Sequence, residues 1–165
     1  MGKAIIGVFE GPREAAMAID DLAARAVDKS RISALASEPT VKKTLGIDVQ
    51  TKGAEGIAIG GGIGTAAGAI LAGLTSVGVL ATGGIGLVAT GPLIAALTGA
   101  GAGALAGGAL GGLIGLGFSE QEVKHFEDAL EKGSAIIAVD MENHDDEDII
   151  KDVFESHSAK ETATA

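Results

Sequence analysis

Residues Ser134–Met141 read SAIIAVDM, the most strand-like run in the chain: short, aliphatic, rich in β-branched side chains, and closed off by Gly133 before it and an acidic block after it. What flanks this run decides the fold class. Before it stands SEQEVKHFEDALEKG (Ser119–Gly133). Ser119 followed three residues later by Glu122 is a capping-box signature, in which hydroxyl and carboxylate satisfy orphan N–H groups reciprocally. Val123, Phe126, Ala129 and Leu130 then form an apolar stripe at helical spacing, and Gly133 supplies a left-handed stop. After the strand, ENHDDEDIIKDVFESH places acids where a helix begins and predicts burial of Ile149, Ile150, Val153 and Phe154. The C-terminal half is therefore expected to be helix, strand, helix.

The N-terminal half reads as its complement. KAIIGVFE (Lys3–Glu10) has strand composition, and Gly11-Pro12 marks a break with proline suited to a first helical turn. Ala15, Ile19, Leu22, Ala23 and Ala26 recur at helical spacing, and RISALAS (Arg31–Ser37) is a second strand. Neither half buries enough surface alone. Joined, they predict an α+β fold: a ferredoxin-like three-stranded sheet with three helices. The expected divisions are 1–55 (strand, helix, strand), 56–118 (a glycine-rich apolar insertion), 119–158 (helix, strand, helix) and 159–165 (a disordered tail).

The insertion has no Asp, Glu, Lys or Arg between Glu55 and Glu120, an interval of 64 residues. Gly56, Gly60, Gly64 and Gly68 stand at steps of four, as do Gly99, Gly103, Gly107, Gly111 and Gly115. Small residues at that interval make a flat ridge along which two helices approach closely, a packing device common in membranes. These nine glycines are the expected helix-packing residues of a glycine-zipper hairpin, with helices over about 56–77 and 92–117 and LATGGIGLVATG as the turn between them. About 20 apolar residues cross a bilayer as a helix. If both polar halves share one sheet, the insertion must cross an even number of times, and two crossings are expected. Lys42, Lys43 and Lys52 precede the first span and put that side in the cytoplasm. Helices packed between subunits, with no bilayer, are the alternative.

Charge bounds the partners. The formal net charge is −10, and the excess resides in residues 119–165, where four Lys face fourteen acids. That balance excludes phosphate-backbone recognition, which needs clustered Lys and Arg. No cysteine is present, so thiolate nucleophiles, cysteine metal sites and disulfides are excluded. GIGTAAG (Gly62–Gly68) has the wrong spacing for a dinucleotide loop, and the chain about 20 residues on lacks a ribose-binding acid. The acids around Asp140, Glu142 and Asp145–Asp148, with His144, read as a solvated helix start and not as a metal site. His125 and His157 stand apart in sequence. Ser30, Ser33, Ser37 and Ser134 lack a nucleophile elbow. No catalytic residue, cofactor, metal or small-molecule substrate is expected.

The segment GPLIAALTGAGAGALAGGALGGLIGLGFSEQEVKHFEDALEKGSAIIAV, with KAIIGVFE and GPREAAMAIDDL at the start, resembles the YflT-like general stress proteins of bacteria. The likeness runs to about His157, with Ser119 where the family often has proline and Phe126 where it often has tyrosine. The resemblance implies a stress-linked protein that is membrane-associated or oligomeric, without established catalytic residues. The combined expectation is a non-enzymatic protein whose polar domain lies in the cytoplasm. It is anchored in the inner membrane by the hairpin, with the lipid bilayer as partner, and self-associates through it. The alternatives are a cytoplasmic homo-oligomer that buries the hairpins in a shared apolar interior, and a pore lined by Thr65, Thr75, Thr82, Thr90 and Thr98.

Overall fold

The computed structural model describes residues 3–37, 39–40, 43, 79–82, 85–91, 113–114, 117–141 and 144–164. Its elements are β1 (Lys3–Phe9), α1 (Pro12–Ala24), a short 3-10 turn (Lys29–Arg31), β2 (Ile32–Ser37), β3 (Val79–Thr82), β4 (Ile85–Thr90), α2 (Glu120–Glu131), β5 (Ala135–Met141), α3 (His144–Ser156) and β6 (Glu161–Thr164). The expected strand at 134–141 is the hub. β5 pairs antiparallel with β1 on one side (Ile5 opposite Val139) and with β2 on the other (Ala34 opposite Ile137).

Six strands form one sheet in the order β3-β4-β2-β5-β1-β6. The class α+β holds, while the expected three-strand count is corrected. The three expected strands are its centre, and each of their outer edges is taken by a further strand. β6 comes from the tail expected to be disordered and pairs with β1, Ile6 opposite Ala163. β3 and β4 come from the stretch expected to be a turn between two apolar helices. Thr82 faces Ile85 across their hairpin, and β4 pairs with β2, Leu35 opposite Ala89. The physical reason is common to both: β1 and β2 each present a row of backbone donors and acceptors that must be paired or wetted, and the nearest chain segment able to extend supplies the partner. Of the expected second apolar helix, Leu113 and Ile114 are helical, and Gly117 ends the turn; the rest, like the first helix, lies outside the described residues.

Both faces of the central strands are buried, so side chains alternate between two cores. Ile5, Phe9, Ile32, Ala34, Ile137 and Val139 face α1 and α3. Phe9 and Phe154 meet there edge to face, with ring centroids 5.3 Å apart. Ile6, Val8, Leu35, Ile136, Ala138 and Ala163 face α2 through Val123, Phe126 and Leu130, with Leu113 and Phe118 completing the cluster. The domain is three-layered: two helices, the sheet, one helix.

Helix starts and stops follow the local chemistry. The Ser119 hydroxyl accepts from the Glu122 N–H, and the Ser119 N–H donates to the Glu122 carboxylate at 2.8 Å, so the capping box is present. Pro12 opens α1 behind Gly11. All four described helix ends close by the same pair of backbone bonds: Val27 to Leu22 with Ala26 to Ala23, Phe118 to Leu113 with Gly117 to Ile114, Ser134 to Ala129 with Gly133 to Leu130, and Ala159 to Phe154 with Ser158 to Glu155. This is the Schellman pattern, which needs a left-handed residue. Gly117 and Gly133 provide it without strain, whereas Ala26 (φ 66°) and Ser158 (φ 58°) carry a Cβ there. Ala26, expected in the apolar stripe of α1, is thus an exposed cap, and Val27 is the buried residue. Ala26→Gly and Ser158→Gly are each expected to raise stability by about 0.5–1 kcal/mol, read as a higher urea midpoint at unchanged slope.

Candidate functional site

A cleft of about 320 Å³ opens between α2 and the β1–β6 edge. Its floor is Val8 and Ala129, and its polar wall is His125, Asp128, Lys132, Ser134, Glu10 and Lys160. Three parts of the chain meet to build it. His125, Asp128, Ala129 and Lys132 recur at three- and four-residue steps, so they share one face of α2. Glu10 follows β1. Lys160 is brought in because its N–H donates to the Val8 carbonyl at 2.7 Å as the chain enters β6.

The polar groups of this wall are sparsely paired. Lys160 Nζ lies 3.7 Å from Glu10 Oε1, with both side chains more than half exposed, a contact that contributes little. Asp128 and Lys132 stand four apart on α2, yet neither side chain makes an ion pair with a described residue. Ser134 is 6% exposed, and its hydroxyl has no hydrogen-bond partner among the described residues. A serine nucleophile requires a base within hydrogen-bond reach. Ser134 and His125 share the cleft without that contact.

Elsewhere the charged groups are spent on holding elements together. Asp146, in the first turn of α3, is tied down by Arg31, whose guanidinium donates to the Asp140 carbonyl at 2.8 and 2.6 Å and to Asp146 Oδ2 at 2.6 Å. Both side chains of that ion pair are mostly buried. Lys151 pairs with Glu147 one turn along α3. At the other end of α1 and α3, Arg25 bridges Asp21 and Asp152, and His157 Nε2 lies 3.3 Å from Asp21 Oδ2. Among the described residues no group of three or more His, Asp or Glu could hold a metal ion.

Among the described residues three carboxyls are held below their ordinary values. Burial pushes Asp21 up, but hydrogen bonds from Arg25 and His157 outweigh it and hold the carboxyl below its ordinary value. The Ser30 backbone N–H and hydroxyl lower Asp28, and the Ser119 hydroxyl and N–H lower Glu122. A carboxyl lowered on folding stabilises the native state above its unfolded pKa, about 4, and loses that contribution as pH falls through its folded value. Stability is therefore expected to decline below about pH 4. Asp21→Asn and Glu122→Gln should each flatten that decline, measured as urea midpoints at pH 7 and pH 3.

The nine glycines expected to pack helices, Gly56, Gly60, Gly64, Gly68, Gly99, Gly103, Gly107, Gly111 and Gly115, lie outside the described residues. His125 and Ser134, weighed separately in the sequence, are brought into one cleft. Lys132, Lys160, Glu10 and Asp128 carried no motif, because the cleft exists only once β6 docks on β1. Fold and cleft together define a three-layered α+β domain with a polar ligand-sized cleft at one sheet edge and long charge-free segments between its strands. No protein-family model, curated protein or solved structure matches the chain.

Proposed function

We propose that this is a non-enzymatic, self-associating protein: a ferredoxin-like α+β domain whose charge-free segments are buried against those of other copies in a shared apolar interior. The observation that carries the reading is the pairing of β4 with β2. It places the middle of the apolar interval in the same sheet as the polar halves, so each apolar segment leaves the sheet and returns to it. The first returns at Val79, and the second leaves after Gly91 and is back in the core at Leu113. A segment that starts and ends on one side of a bilayer must cross it twice, which takes about 40 residues. The charge-free parts available, 56–78 and 92–112, hold 23 and 21 residues. Glycines at steps of four suit close helix contact between subunits as well as they suit lipid. The resemblance to YflT-like proteins adds a role during stress.

The absence of native cysteine makes single-cysteine labelling unambiguous. Thr82→Cys, on β3, is expected to resist a membrane-impermeant maleimide in intact bacterial spheroplasts and to react after lysis. Fractionation without detergent is expected to leave the chain in a large soluble particle. Labelling of intact spheroplasts, together with retention in carbonate-washed membranes, would replace this reading with the two-span anchor.

A further inference from the structure

The cleft between α2 and the β1–β6 edge has features that the assembly reading does not use. Residues 119–165 hold four lysines among fourteen acids, and two of the four, Lys132 and Lys160, line this one cleft, joined by His125. The others are Lys124 and Lys151, and Lys151 is paired with Glu147. The Lys132 ammonium pairs with no described carboxylate, and Lys160 is held only loosely by Glu10. Ser134, buried to 6% exposure, adds a hydroxyl without a partner among the described residues. A buried polar group left unpaired is costly, so one that lines a cavity marks a place where a bound group would restore the bond.

We propose that the cleft binds a small hydroxyl-bearing phosphate ester. Lys132 and Lys160 supply point charges to the phosphate oxygens, the usual role of lysine at phosphate. The Ser134 hydroxyl donates to the same group. Asp128 and Glu10 decide the rest of the ligand: they accept hydrogen bonds from hydroxyl groups of the ester. The volume of about 320 Å³ lies at the lower end of the small-molecule range and exceeds what a bare phosphate fills. Val8 and Ala129 give the carbon skeleton an apolar floor.

The test is titration of the full chain with glycerol 3-phosphate, followed by amide chemical shifts, with inorganic phosphate and glycerol run alongside. Saturable shifts at Lys132–Ser134 and Lys160 are expected, with the ester binding more tightly than either fragment. The pair Lys132→Gln and Lys160→Gln, both on the surface and outside the two cores, should weaken binding by about tenfold or more. Ser134→Ala should weaken it with the urea midpoint retained, which separates a ligand contact from a packing defect. Shifts that are absent, or that survive the double lysine change, would overturn the proposal. So would lysine-dependent association with phosphatidylglycerol vesicles without response to the soluble ester, because the phosphate would then belong to a lipid headgroup.

Discussion

Gly91→Ala is expected to lower stability by on the order of 3 kcal/mol, and to do so by opening one seam of the sheet. Gly91 sits at the end of β4 with φ +105°, a conformation that L side chains rarely adopt. A Cβ there would stand 2.4 Å from the Ser33 Cα and 2.5 Å from the Ile32 carbonyl oxygen. Those are backbone atoms of β2 and its entry, so no side-chain rotation relieves the clash. β4 must lift from β2 at the Ala34–Thr90 pair. Native-state hydrogen exchange should then show early loss of protection at Ala34–Ser37 and Leu87–Thr90, with β1 and β5 retaining theirs. Gly11→Ala is the control: φ is −161° and the nearest atom to a new Cβ is the flexible Glu14 carboxylate at 3.2 Å, so the cost should stay below about 1 kcal/mol. A Gly91→Ala protein with the wild-type midpoint would remove the β4–β2 seam, and with it the support for the assembly reading.

The second large effect lies in the core between the sheet and the paired helices. Gly7 is in the middle of β1, and a Cβ there would come within 2.6 and 2.7 Å of the Phe154 ring. That ring is fully buried and stacked edge to face on Phe9. It cannot rotate without displacing the cluster formed by Ile5, Ile150 and Val153. Gly7→Ala is expected to cost about 2–3 kcal/mol through overpacking, and Phe154→Ala about 3–5 kcal/mol through the cavity it leaves. The two sites are in contact, so their effects should not add. Combining Gly7→Ala with Phe154→Leu is expected to recover about 1 kcal/mol or more relative to the sum of the single changes. Strict additivity in the urea midpoints would mean that the ring does not lie over Gly7.

The parts of the fold legible in the sequence are those set by contacts within a few residues. The Ser119–Glu122 capping box, Pro12 at the head of α1, the Gly133 stop and the apolar stripe of α2 each rest on bonds spanning six residues or fewer. The strands at 3–9, 32–37 and 135–141 were legible for a related reason, because short aliphatic runs bounded by turn residues suit a buried strand and little else. The stretch VLAT-GG-IGLVAT also carried a local signal, two apolar runs joined by the two residues Gly83-Gly84, which is a hairpin pattern. The glycine periodicity on either side of it obscured that signal, since absence of charge over 64 residues points as readily to a helical hairpin.

Tertiary structure alone decided the remainder. ETAT is too short and too polar to form a strand by itself, and it becomes β6 because β1 offers an open edge after α3 returns the chain beside it. Whether VLAT-GG-IGLVAT was turn or strand was likewise settled by the free edge of β2, since a two-stranded hairpin is marginal alone and stable as an extension of a sheet. The cleft depends on both levels. Its helical wall follows from the spacing of His125, Asp128 and Lys132, but Glu10 and Lys160 lie at opposite ends of the chain and approach only through the β1–β6 pairing. Local hydrogen bonds and side-chain entropy operate over a few residues and are written in the sequence, whereas the pairing of strand edges is chosen among distant segments by the assembled sheet.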